Sequence, residues 1–231
     1  MSLILNIDTA LTVASVSLAK NGQERAVLTH DSQKSHAEFL QTAAEKLMQS
    51  QGLTFDQLDA IAVSSGPGSY TGLRVGMASA KGFAYALQKP FITVNTLELM
   101  AYGAREIIQA KGIEYAMICP MIDARRMEVF TALYDMELRE VMPPHARVLD
   151  EHSYKEILEN KTILFTGNGV DKWLSLYPSP HAQYEPVTNL SSSLCALSFQ
   201  KFTRQELTDL IASEPFYVKE FYSPPPKNKQ Q

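Results

Sequence analysis

Cysteine is scarce in this chain: only Cys119 and Cys195 occur in 231 residues, each flanked by apolar neighbours. So few thiols exclude a disulfide scaffold, and they read as two buried groups in a reducing compartment, with a nucleophile or redox pair as the rival reading. Clustered basic charge is also missing. The net charge is −4 and no Lys/Arg run exceeds the pair Arg125–Arg126. A chain that held RNA by itself would show a basic stripe, so independent RNA binding is not expected unless the fold gathers basic residues from distant positions. No apolar run approaches the ~18 residues that span a membrane. The opening MSLILNID lacks a charged n-region and runs into a polar Asn-x-Asp, so no signal peptide is expected and the location is expected to be cytoplasmic.

The usual catalytic signatures are absent as well. The five histidines, at 30, 36, 145, 152 and 181, include no pair four residues apart, so no helix presents a metal-binding pair. Gly-x-Ser-x-Gly does not occur, and Ser64-Ser65 has no nucleophile-elbow glycines around it.

What is present is an ordinary globular composition. With 45% hydrophobic and 20% charged residues, a chain of this length buries about 70–75% of its unfolded surface and needs no covalent or metal staple. Leu3–Ile7 reads as a buried strand. Val13–Leu18 alternates as a half-covered one, and Asn21-Gly22 is a hairpin turn leading to a third strand over Gln23–Thr29. Ser35 to Glu38 is a capping box opening a helix that ends near Gly52. Ala60–Ser64 is a short strand, a helix follows from about 70 to 88, Phe91–Val94 is a strand, and Thr96 is expected to cap a helix to about Ala110. The second half repeats strands first and helices after. Tyr115–Ile122 and Met127–Tyr134 pair, and helix 153–159, strand Ile163–Thr166, helix 169–176 and helix 191–213 follow. A Pro-rich polar tail, 223–231, is expected to be disordered.

The segment GPGSYTGLRVGMASAKG at 66–82 is the most informative. It is not a Walker loop, because five residues separate Gly66 from Gly72 and Leu-Arg follows. Nor is it a dinucleotide fingerprint, since the third glycine comes one position late. Gly72, Gly76, Ala80 and Ala84 fall four apart on one helical stripe. Glycine inside a helix costs about 1 kcal/mol against alanine, so two on one stripe call for a close approach of another backbone. That backbone belongs either to the chain's own lobe or to another chain. Asp8 and Asp123 end the first strands of the two halves, where they either cap strand ends or face a metal–phosphate site.

The stretches ILNIDTA at 4–10, SSGPGSYTGLRVGMASAKGFAYAL at 64–87, VNTLELMA at 94–101 and MIDARRMEVF at 121–130 resemble the TsaB (YeaZ) family. The resemblance is thin beyond residue 135, apart from Pro215-Phe-Tyr-Val-Lys219. It implies an α/β fold of the ASKHA type (actin, sugar kinase and chaperone ATPase), with two RNase H-like lobes at 1–100 and 101–222. It also implies a non-catalytic partner of TsaD in forming the threonylcarbamoyl group on adenosine 37 of tRNAs that read codons starting with A. TsaE joins that assembly, tRNA is contacted only through the complex, a homodimer is possible in isolation, and no membrane is involved. TsaD carries a His-x-x-x-His metal pair where this chain has Thr96 and Met100, and the hairpin from Asp8 to Val13 lacks the groups that wrap a phosphate. No cofactor is therefore expected in the isolated chain, with Asp8 and Asp123 as vestigial candidates. The family's interface uses helices 35–51 and 70–88. It favours the inter-chain reading of the stripe and points to His36, Phe39, Leu40, Ala43, Leu47, Gly72, Gly76, Ala80, Phe83 and Ala84 as partner-facing. The alternative is an active ATP-dependent kinase or ATPase of the same fold. A metalloprotease would need the missing histidine pair.

Overall fold

The structure is a computed structural model that describes residues 1–31, 36–112, 115–175, 178–187 and 189–219. The capping residue Ser35 and the tail 223–231 lie outside the described residues. The chain folds as one order of elements laid down twice. The first repeat runs β1 (Leu3–Asp8), β2 (Ala14–Lys20), β3 (Gln23–His30), α1 (His36–Ser50), β4 (Ala60–Gly66), α2 (Tyr70–Leu87), β5 (Phe91–Asn95) and α3 (Thr96–Lys111). The second runs β6 (Met117–Asp123), β7 (Glu128–Asp135), β8 (Glu140–Val148), α4 (Lys155–Leu158), β9 (Ile163–Thr166), α5 (Val170–Leu174), β10 (Ala182–Tyr184) and α6 (Ser191–Thr203).

Each repeat builds a five-stranded sheet with one topology, β3-β2-β1-β4-β5 and β8-β7-β6-β9-β10. In both, three strands meander antiparallel and two more are added parallel to the first. Two α/β lobes of like topology are what the resemblance implies. The β2–β3 turn follows its residues: Asn21 and Gly22 both take positive φ, 50° and 79°.

The central strands are buried along almost their whole length and mostly apolar because both of their faces are covered. On β1, Leu5 and Ile7 meet α1 and α2, while Ile4 turns to the opposite face beneath α3 and α6. That second cluster extends through α3 and α6 to Ile118, Ile122 and Tyr134 of the second sheet. The far side of sheet two is closed by Leu158, Val170 and Trp173. The molecule is therefore layered as α1/α2, sheet one, α3/α6, sheet two, α4/α5. Asn6 is a polar insert in the middle layer, where its side-chain oxygen accepts the Ser198 hydroxyl at 2.6 Å and its amide donates to the Ile4 carbonyl at 3.1 Å.

Three local readings change. Asn95, not Thr96, caps α3: its side chain accepts from the Leu97 amide at 2.9 Å, and Thr96 is buried. The helix expected over 191–213 ends at Thr203. Gln205 enters the left-handed region at φ 57°, and Thr208 then bonds β5, its amide donating to the Phe91 carbonyl at 2.8 Å. Strand β8 was not expected because Pro143 and Pro144 interrupt it; it lies at a sheet edge, where proline costs no ladder hydrogen bond.

Candidate functional site

Asp8 and Asp123 take equivalent places, at the ends of the first strand of each repeat. Asp8 is buried, and its Oδ1 accepts the Ser64 hydroxyl at 2.5 Å and the Ala10 amide at 3.0 Å. It lines a cleft of about 240 Å³ with Thr12, Ser15, Met100, Asn168 and Asn189. Asp123 is exposed and is not among the residues that line this cleft, so the structure does not bring the two carboxylates into one cavity. Its Oδ1 accepts the Lys172 ammonium at 2.6 Å and the Arg125 amide at 2.6 Å. Lys172 holds the Asp123 carboxyl below its ordinary range, desolvation opposes that, and the Arg125 amide adds to it. A lysine of the chain itself thus supplies the positive charge beside this carboxylate.

At the positions matched to the TsaD metal pair, Thr96 and Met100 are both buried. The Met100 terminal methyl occupies the space where a Cβ on Gly167 would sit, an apolar contact with nothing to offer a hard cation. Among the described residues no three His, Cys, Asp or Glu side chains gather as a metal-binding group.

The residues expected to face a partner divide sharply. A Cβ built on Gly72 would overlap the Thr9 carbonyl oxygen, and one on Gly76 would overlap the Thr9 hydroxyl. That hydroxyl donates to the Gly72 carbonyl at 2.7 Å. The stripe is sealed by the end of β1 at Gly72 and Gly76, and by the core at Ala80 and Ala84. This corrects the inter-chain reading of Gly72, Gly76, Ala80 and Ala84: the close approach they permit is to their own lobe. Leu40, Ala43 and Leu47 of α1 are corrected likewise, since they pack in the same core against Leu5, Ile61 and Met77. Phe39 and Phe83 are half-buried, Phe39 stacked on His30 at 5.0 Å and Phe83 on Phe55 at 5.7 Å. The side chain of His36 lies outside the described residues.

The outward face of α2 carries a second row that sequence reasoning passed over: Ala78, Gly82 and Ala86, all exposed and again four apart. A Cβ on Gly82 would meet nothing within 4 Å. Tyr85 beside it is 79% exposed. On α1 the exposed residues include Gln41, Thr42, Glu45 and Lys46. The spacing of the second row was readable; which row faced inward was not.

Known proteins place this geometry. The family model described as "TsaD: tRNA N6-adenosine threonylcarbamoyltransferase" matches residues 18–211. The tRNA threonylcarbamoyladenosine biosynthesis protein TsaB of Bacillus subtilis is 31% identical over 170 residues, covering 71% of this chain and 70% of that protein. TsaB of Haemophilus influenzae is 35% identical over 127 residues, covering 55% of this chain and 51% of that one. The chain thus matches about half of one of these relatives and 70% of the other. Among solved structures, YeaZ from Pseudomonas aeruginosa superposes with a TM-score of 0.79 at 24% identity, over 94% of this chain and all of that one. Component A of the (R)-2-hydroxyglutaryl-CoA dehydratase of Acidaminococcus fermentans shares the fold at a TM-score of 0.50 and 9% identity. No helix among the described residues is long and apolar enough to cross a membrane. Two repeats of one α/β topology, a glycine-lined α2 closed on β1, and these matches in sequence and structure show that the chain belongs to the TsaB (YeaZ) family.

Proposed function

We propose that this chain is the non-catalytic partner of TsaD in placing the threonylcarbamoyl group on tRNA adenosine, and that it pairs with TsaD through the outward face of α1 and α2. The observation that carries the pairing is the exposed row Ala78, Gly82 and Ala86, where a partner helix can approach more closely than the usual ~8–10 Å. Without TsaD the same face pairs two copies of this chain, and TsaE joins the TsaD complex. The non-catalytic reading rests on the carboxylates. Asp8 is held by Ser64 and the Ala10 amide, and Asp123 by Lys172, so neither is left as a bare cation ligand.

Co-expression with TsaD tests this. Gly82→Leu fills the exposed row and meets nothing in its own fold, so it should abolish co-purification while leaving the thermal transition in place. Retained co-purification would remove the α2 face from the reading. Tight binding of Mg-ATP by the isolated chain would favour the ATP-dependent enzyme instead.

A further inference from the structure

The C-terminal segment beyond α6 brings separated basic and aromatic residues onto one surface. The Phe216 amide donates to the Ser65 carbonyl at 2.7 Å, docking this segment beside the start of α2. Tyr217 then meets Tyr70, with ring centroids 5.4 Å apart and planes at 39°. The Arg74 guanidinium lies over the Tyr70 ring at 4.9 Å and donates to its hydroxyl at 2.6 Å. Two residues on, Lys219 crosses to the second repeat and pairs with Glu128 at 2.5 Å. The Glu128 amide closes a turn on the Arg125 carbonyl at 3.1 Å, and Arg125 and Arg126 occupy that turn.

Both arginines are exposed, and both hold left-handed backbone, at φ 72° and 50°. For a residue with a side chain such conformations cost free energy and persist where the surroundings demand them. Among the described residues neither guanidinium has a hydrogen bond or ion pair. Among the described residues of this surface, Glu128 is paired with Lys219 and Asp123 with Lys172, while Glu214 is exposed. A chain with net charge −4 therefore gathers a local excess of positive charge beside two tyrosines in tilted contact.

We propose that this surface is a direct contact for single-stranded RNA, with Arg125 and Arg126 on phosphates, Lys219 holding Glu128 neutralised beside them, and the exposed Tyr217, backed by Tyr70 and Arg74, stacking on an unpaired base. Cations track a phosphate backbone, and aromatic faces stack on bases only where the strand is open. That the RNA is tRNA, presented while this chain is bound to TsaD, rests on the function proposed above; the chemistry of the surface does not.

The test uses the complex of this chain with TsaD and a fluorescein-labelled RNA hairpin with a single-stranded loop, followed by anisotropy over a salt series. Arg125→Glu with Arg126→Glu should weaken binding about tenfold or more and reduce the salt slope by about 1.4, at about 0.7 for each phosphate no longer neutralised. Tyr217→Ala should weaken binding about fivefold or more at fixed salt with the slope unchanged. A blunt RNA duplex of equal length should compete poorly. Parent-like binding by both variants, or equal competition by the duplex, overturns the proposal. Gel filtration of each variant complex guards the interpretation: weaker RNA binding explained by loss of TsaD would make this a protein-docking surface and equally overturn it. Should the parent chain fail to bind TsaD, the function proposed above falls, and the same variants are compared on the isolated chain at low salt.

Discussion

The two repeats follow one order of elements, yet their outer layers differ in scale. Helices α1 and α2 of the first repeat are 15 and 18 residues long, whereas α4 and α5 of the second are four and five. Where the first sheet is covered by long helices with one buried and one exposed side, the second is closed by an aromatic cluster. Trp173 packs on Phe165 with centroids 4.4 Å apart and on Tyr154 at 5.9 Å, and its indole donates to the Ser153 carbonyl at 3.2 Å. The same topology has thus kept a broad helical face on one side and reduced the other to a plug. Their equivalent carboxylates diverge in the same way, one buried in a cleft and one exposed and held by lysine.

The largest expected effect breaks the plug. Trp173→Ala should lose about 3–5 kcal/mol of stability in urea denaturation, as large-to-small changes at fully buried aromatics do. A loss below about 1 kcal/mol would mean the second repeat does not depend on that cluster. Next comes a contrast within α2. Gly72→Leu drives a side chain into the Thr9 backbone and should cost about 2–3 kcal/mol or more. Gly82→Leu on the opposite side should change stability by about 1 kcal/mol or less, in the favourable direction, because leucine is the better helix former. Equal costs at the two positions would erase the distinction between the rows.

A pH effect sharpens the comparison further, since each sheet has one buried thiol against it. Burial pushes Cys119 up to about 11 and Cys195 up to about 12 from 9.0. Both folded-state values lie above the unfolded one, so the contribution to stability is complete below pH 9.0. It fades as pH rises, through about 11 for Cys119 and about 12 for Cys195. Urea midpoints should therefore fall from pH 9 upward, less steeply in Cys195→Ala. At neutral pH the native thiols should resist iodoacetamide; rapid alkylation would contradict their burial. The smallest effect is expected from Lys172→Ala, within about 1 kcal/mol for a surface pair whose carboxylate is exposed. The Asp123 carboxyl should then titrate nearer its ordinary value, a shift that NMR would follow.

Much of the first repeat was legible in the residues. Period-two alternation, the Asn21-Gly22 turn and long amphipathic helices are local signals, and the structure returns them within a few residues. The second repeat was read less well because its elements are short: four or five helical residues hold barely one turn of pattern, and β8 breaks its alternation at two prolines. The site failed for a different reason. Spacing identified Gly72, Gly76, Ala80 and Ala84 as one face of a helix, but the partner filling that face is Thr9, more than sixty residues earlier, together with the core. Local sequence fixes which residues share a stripe; only the tertiary arrangement decides whether the stripe looks in or out. The pairing of Asp123 with Lys172 and of Lys219 with Glu128 was hidden by the same separation.

The position of α6 bears on how the molecule is made. This helix, emerging only after residue 190, lies across strands of the first sheet and supplies Ser198 and Cys195 to the buried Asn6 at its centre. A ribosome that has delivered the first hundred residues has therefore delivered a sheet with part of its inner face still wet, and that face stays incomplete until nearly the whole chain has been translated. Severing the gene between the repeats would not yield two independent halves. It would leave the first fragment lacking its lid, and association of the two pieces, rather than folding of either, would restore the native layers.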